Sequence, residues 1–140
     1  MPITVTAPVG VLTATGEREI LPRLSAAVLE ISGATGNSFF TQIVGGHVMV
    51  IQPEDVYAGG GNRPLVVVKL ELPNVALGSV EARAAFVVAA TDIVEACTVP
   101  AHDRENTWVN IFNAPDGGWG VGGRAYTGAD LIAATSAAAQ

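Results

Sequence analysis

The chain has one cysteine in 140 residues. Cys97 cannot close an internal disulfide, so the core must hold the fold and a cytoplasmic location is the default expectation. Positive charge is also scarce: seven Lys and Arg stand against thirteen Asp and Glu, for a net charge of −6. Nucleic-acid binding needs clustered Lys and Arg, so this balance argues against it. Two histidines, His47 and His102, and one cysteine offer no metal-ligand spacing, and no metal or other cofactor is expected. No apolar run reaches the roughly 18 residues of a membrane helix. The longest stretch, Ala84 to Cys97, is interrupted by Thr91, Asp92 and Glu95. The N-terminus lacks the basic start and apolar core of a signal peptide, so no membrane partner is expected either.

Apolar residues make up 49% of the chain, and mean hydropathy is +0.41. An acidic chain this apolar points to hydrophobic surface buried between subunits. The sequence also repeats its punctuation. At one common offset Pro2 meets Pro64, Gly16 meets Gly78, Glu19 meets Glu81, Ala27 meets Ala89 and Pro53 meets Pro115. Gly60 and Gly61 meet Gly122 and Gly123 at the same offset. Gly and Pro fix turns, so the match is an echo of structure.

Each half starts with a β-branched strand, Ile3–Thr6 and then Leu65–Leu72. An amphipathic helix follows. Ile20, Leu24, Ala27, Val28 and Ile31 form the apolar row of the first, and Ala82, Phe86, Ala89, Ala90, Ile93 and Cys97 that of the second. Ser79 is the expected N-cap of the second helix. Pro22 argues against the first unless it lies in the first turn or marks a kink. A second strand is expected over roughly Thr41–Ile51 and Thr107–Phe112, and each half closes in a Gly-rich turn, Tyr57–Gly61 and Gly117–Gly123. The expected domain is therefore one unit over residues 1–140: two pseudo-repeats, 2–63 and 64–124, and a tail, 125–140. The Ala-rich end of that tail reads as a short helix or a frayed end.

Right-handed β-α-β crossovers put both helices on one face of a four-stranded α+β sheet. Leu65–Val68 is apolar on both sides, as in a strand covered on both faces. The other face is left bare, and oligomerisation is the simplest cover.

A chain that starts Met1-Pro2-Ile3 and holds two β-α-β units resembles the tautomerase superfamily. That superfamily includes 4-oxalocrotonate tautomerase, macrophage migration inhibitory factor and malonate semialdehyde decarboxylase. Trp119-Gly120-Val121-Gly122-Gly123 resembles the Gly-rich hairpin that ends a tautomerase unit, and Gly123–Leu131 is similar to the end of the decarboxylase branch. Trp108-Val109-Asn110, with Trp119 downstream, resembles the aromatic-x-Asn and Trp of the inhibitory-factor branch. The resemblance implies a tautomerase-like fold, a homotrimer, and an active site near a subunit boundary. It also implies a small carbonyl substrate and keto–enol proton transfer. Pro2, freed by removal of Met1, would be the general base. A free α-amine has a pKa of roughly 7.7–8, and desolvation lowers it, which suits that task. The amine could also attack a carbonyl to give an iminium ion.

Departures from the family narrow the reading. Pro8-Val9-Gly10-Val11-Leu12 holds no cation where members carry carboxylate-binding arginines, and Glu71-Leu72-Pro73-Asn74 stands where dehalogenases carry an arginine pair. Aligning Thr41–Val44 as a strand puts Phe39 near the catalytic Asp of the decarboxylases. The water-activating acid of dehalogenases falls at Gly117-Gly118, with Asp116 nearby. Simple proton transfer on a neutral or aromatic carbonyl compound remains. The candidate site is Pro2 as base, with Asn110, Trp108, Trp119 and Phe39 around the substrate. Asn110 could instead satisfy a strand neighbour, and the tryptophans could be subunit packing. His47 reads as a satisfied strand residue, Arg124 as a hairpin surface charge and Tyr57 as hairpin packing; Lys69 has Glu71 as a partner on the same face. Gly59–Gly61 and Gly120–Gly123 do not lie between a strand and the helix it opens, which a phosphate loop requires. The competing readings are an inactive tautomerase-fold binding or scaffold protein that keeps Met1, and a related lyase or hydratase.

Overall fold

The computed structural model describes residues 1–138; residues 139 and 140, the end of the expected tail, lie outside the described residues. Strand β1, Pro2–Pro8, leads to helix α1, Ala14–Ile31. A short helix α2, Ser38–Ile43, precedes strand β2, Gly45–Ile51. The same order then recurs as β3, Val66–Pro73, α3, Val80–Cys97, and β4, Thr107–Ala114. A hairpin of β5, Trp119–Val121, and β6, Arg124–Tyr126, leads to α4, Gly128–Ala138. The described part of the Ala-rich tail is thus helical.

The sheet order is β2-β1-β3-β4. β1 and β3 are antiparallel at the centre, with Val5 opposite Val68, and each outer strand runs parallel to its neighbour. α1 and α3 lie side by side on one face. Thr13 caps α1 by accepting from the Gly16 N–H, and Ser79 caps α3 by accepting from the Ala82 N–H. Pro22 sits deep inside α1 on its exposed side, so the Arg18 carbonyl it leaves unbonded faces water. Gly16 lets α1 touch the end of α3: a Cβ there would fall 1.9 Å from the Cys97 carbonyl oxygen.

The core lies between helices and sheet. Ile3, Val5, Val66, Val68, Leu70 and Leu72 face Ile20, Leu24, Val28, Phe86, Ala90 and Val94, all buried. Burying each of these side chains larger than Ala90 contributes about 1.5–3 kcal/mol. The alternate residues, Thr4, Thr6, Val67, Lys69, Trp108, Asn110 and Phe112, face the other way, and Trp108 is 44% and Phe112 57% exposed. At the end far from Pro2, Val56, Ala58 and Leu65 fold over this face against Ile51 and Val67. The remainder is open.

One element departs from expectation. Thr41–Ile43 is helical, and the strand begins only at Gly45. Asn37 starts the helix by accepting from the Phe40 N–H at 3.1 Å. Packing of Phe39 and Phe40 against the core outweighs the strand preference of Thr41 and Ile43.

Candidate functional site

Because β1 and β3 are antiparallel, Pro2 lies at the sheet end where β3 and β4 finish. The segments leaving that end close over it: the end of α1, α2, the turn at 75–77 and α4. They enclose a cavity of about 250 Å³ lined by Met1, Phe40, Val75, Leu77, Leu131 and Ile132, among others. No Lys, Arg, Asp or Glu lines it. Leu77 has φ +48, the one left-handed non-glycine residue among those described, with its side chain buried in the wall. Such strain persists only where the surroundings hold it, and it concentrates at functional sites.

Asp116 ties the walls together. Its Oδ1 accepts from Asn74 Nδ2 at 2.7 Å and from the Gly128 N–H at 2.8 Å, joining the turn after β3 to the start of α4. Thr127 and Asp130 cap α4 reciprocally, each accepting from the other's backbone N–H. These bonds, the backbone one first, hold the Asp130 carboxyl below its usual range. Asn37 Nδ2 donates to the Thr135 carbonyl and fastens α4 to α2.

Met1 stands at the centre. Its side chain is 4% exposed, and its carbonyl carbon is bonded to the Pro2 nitrogen. Its ammonium donates to the Ile43 carbonyl, and its carbonyl accepts from the Gly45 N–H at 3.4 Å. Burial pushes the Met1 amine down to about 6.

The expected site residues fall into two groups. Phe39 and Trp119 lie on the helix side: Tyr126 packs between them, its ring centre 6.2 Å from Phe39 and 5.5 Å from Trp119. Phe39 neighbours the cavity-lining Phe40 at 5.6 Å. Its alignment with a decarboxylase Asp at the start of a strand does not survive, since Phe39 lies within α2. Trp108 and Asn110 lie on the open face of β4, with β3 between them and β1. Two strand spacings, roughly 10 Å, separate β4 from the Pro2 strand. One chain therefore does not bring Asn110 to Pro2.

Other residues take plainer places. Lys69 Nζ lies 2.9 Å from a Glu71 carboxylate oxygen. Arg124 sits over the Tyr126 ring at 4.7 Å, largely in solvent. His47 is exposed on β2. Tyr57 is 71% exposed, so it is not hairpin packing: the short turn around Ala58 and Gly61 leaves its ring outside. No group of His, Cys, Asp or Glu among the described residues is arranged to hold a metal, and no described helix is long and apolar enough to cross a membrane.

Sequence reasoning missed Phe40, Leu77, Leu131 and Gly45. The readable signal for α4 was Thr127 three residues before Asp130, a capping pair that announces a helix. Leu77 and Gly45 carry no such mark.

No family model and no curated protein matches the chain. Solved structures do. The chain is similar to a fused 4-OT solved as a symmetric trimer, with a TM-score of 0.75 and 21% identity over 94% of this chain and 98% of that one. A malonate semialdehyde decarboxylase inhibited by 3-bromopropiolate has a TM-score of 0.66 at 14% identity, over 87% of this chain and 89% of that one. Macrophage migration inhibitory factor of Toxoplasma gondii has a TM-score of 0.65 at 14% identity, over 90% of this chain and all of that one. At these identities the likeness establishes the tautomerase fold.

Proposed function

We propose that this tautomerase-fold chain catalyses keto–enol proton transfer on a small carbonyl compound, with the Pro2 amine as general base once Met1 is removed. The observation that carries the reading is the cavity lined by Met1, the residue bonded to the Pro2 nitrogen. An amine freed there lies where burial already lowers the Met1 amine. A lowered pKa leaves a useful share of neutral amine near pH 7. The amine takes a proton from the carbon beside the carbonyl and returns it to oxygen, or the reverse. The lining without charged side chains favours an uncharged, apolar or aromatic substrate.

A homotrimer goes with this reading. The fused 4-OT neighbours are trimers, and the open sheet face needs cover. In such an assembly Asn110 and Trp108 reach a Pro2 site from an adjacent subunit, Asn110 to hydrogen-bond a substrate oxygen and Trp108 as a wall. Phe39 and Trp119 support the wall from the helix side. A cytoplasmic location fits the single unpaired Cys97.

One observation favours a second reading, a binding or scaffold protein that keeps Met1: the Met1 side chain packs into the core. Intact mass separates the two, since loss of one Met is required for the first. Enol-to-keto conversion of an arylpyruvate methyl ester, followed by ultraviolet absorbance in wild type and Pro2→Ala, then tests the base directly.

A further inference from the structure

Met1 does more than line the cavity. Three of its parts meet three features of the fold around the Pro2 nitrogen. Its oxygen meets the Gly45 N–H, its ammonium meets the Ile43 carbonyl, and its side chain is buried in the core. Gly45 is the register partner of Pro2 on β2, and a Cβ at Gly45 would meet nothing within 4 Å. A small side chain at Gly45 therefore has room. The next residue, Gly46, lies so close to β1 that a Cβ would fall 1.7 Å from the Ile3 carbonyl oxygen. Removal of Met1 takes away the acceptor of the Gly45 N–H and the apolar group beside it in one event. The Gly45 N–H is then free to meet a ligand oxygen placed where the Met1 carbonyl oxygen stood.

We propose that the substrate takes the place of Met1, with its carbonyl oxygen on the Gly45 N–H and an uncharged apolar side group reaching into the cavity that Met1 lines. This rests on Pro2 as base. The amine removes a proton from the carbon beside the carbonyl, and the electron pair moves to the carbonyl oxygen. The Gly45 N–H holds the resulting enolate, and the ammonium returns the proton to oxygen. The reaction is an isomerisation and needs no co-reactant. Gly45 thereby becomes a catalytic donor through its backbone.

The test uses the protein lacking Met1 and the enol of an arylpyruvate methyl ester. Gly45→Pro removes the donor; Val44 before it is already extended (ψ 120°), as a residue preceding proline must be. Gly45→Ala keeps the donor and places its Cβ in open space. Gly45→Pro is expected to lower kcat about 10²-fold or more, as loss of an oxyanion donor does, with Gly45→Ala staying within about threefold. In wild type, saturation with non-enolisable methyl benzoylformate is expected to move the Gly45 amide proton downfield. A Gly45→Pro protein with wild-type kcat, or a Gly45 amide that saturation leaves unmoved, overturns the proposal. An active Pro2→Ala protein with the Gly45 response intact overturns the base assignment alone.

Discussion

Met1 combines a buried thioether with a desolvated amine at one point of the fold. Its amine titrates near 8 when unfolded and at about 6 when folded. Between those values the unfolded chain binds more protons, so stability rises with pH. The penalty is full below pH 6 and gone above pH 8. The expected gain for the unprocessed chain is about 1 kcal/mol, after allowance for partial screening by water. His102, whose imidazole is lowered by burial, acts in the same direction at lower pH. Urea midpoints at pH 6 and 8 for the chain with free and with acetylated Met1 isolate the amine; the acetylated chain should lose most of the rise. Sequence marked Pro2 because proline at position two is a distinct chemical object. It did not mark Gly45, because a backbone N–H has no residue type.

At the scale of elements, α4 walls the cavity while burying little of its own. Leu131 is buried and Ile132 is 60% exposed, so polar ties hold the helix as much as packing does. Asp116→Ala removes the shared acceptor of Asn74 and Gly128. The expected cost is about 1–3 kcal/mol, and amide exchange should accelerate in α4 before it does in α1 or α3; uniform protection in the variant would show that packing alone holds the helix. The four main strands and two long helices were readable because their apolar periods and caps agree: Ser79 is a cap in both sequence and structure. α2 was not readable. Thr41 and Ile43 prefer strands, and the Asn37 cap with the packing of Phe39 and Phe40 decides otherwise. α4 stayed open because an Ala-rich segment shows no apolar stripe. The split of the candidate site was equally hidden, since the order β2-β1-β3-β4 puts β3 between Pro2 and Asn110, and nothing local in the sequence states that order.

For the whole molecule, the open sheet face argues for assembly. Trp108 and Phe112 stand exposed on it, and a lone chain has no second layer to cover them. Light scattering is expected to give a trimer. Phe112→Glu should shift it toward monomer with helix content unchanged, and a monomeric wild type would refute the bare-face argument. The central claim concerns chemistry at the N-terminus of that assembly. Its most direct test is enol-to-keto conversion of an arylpyruvate methyl ester by wild type and Pro2→Ala, each shown by intact mass to lack Met1. The account expects Pro2→Ala to be slower by about 10²–10⁴-fold; equal rates in the two proteins would contradict it.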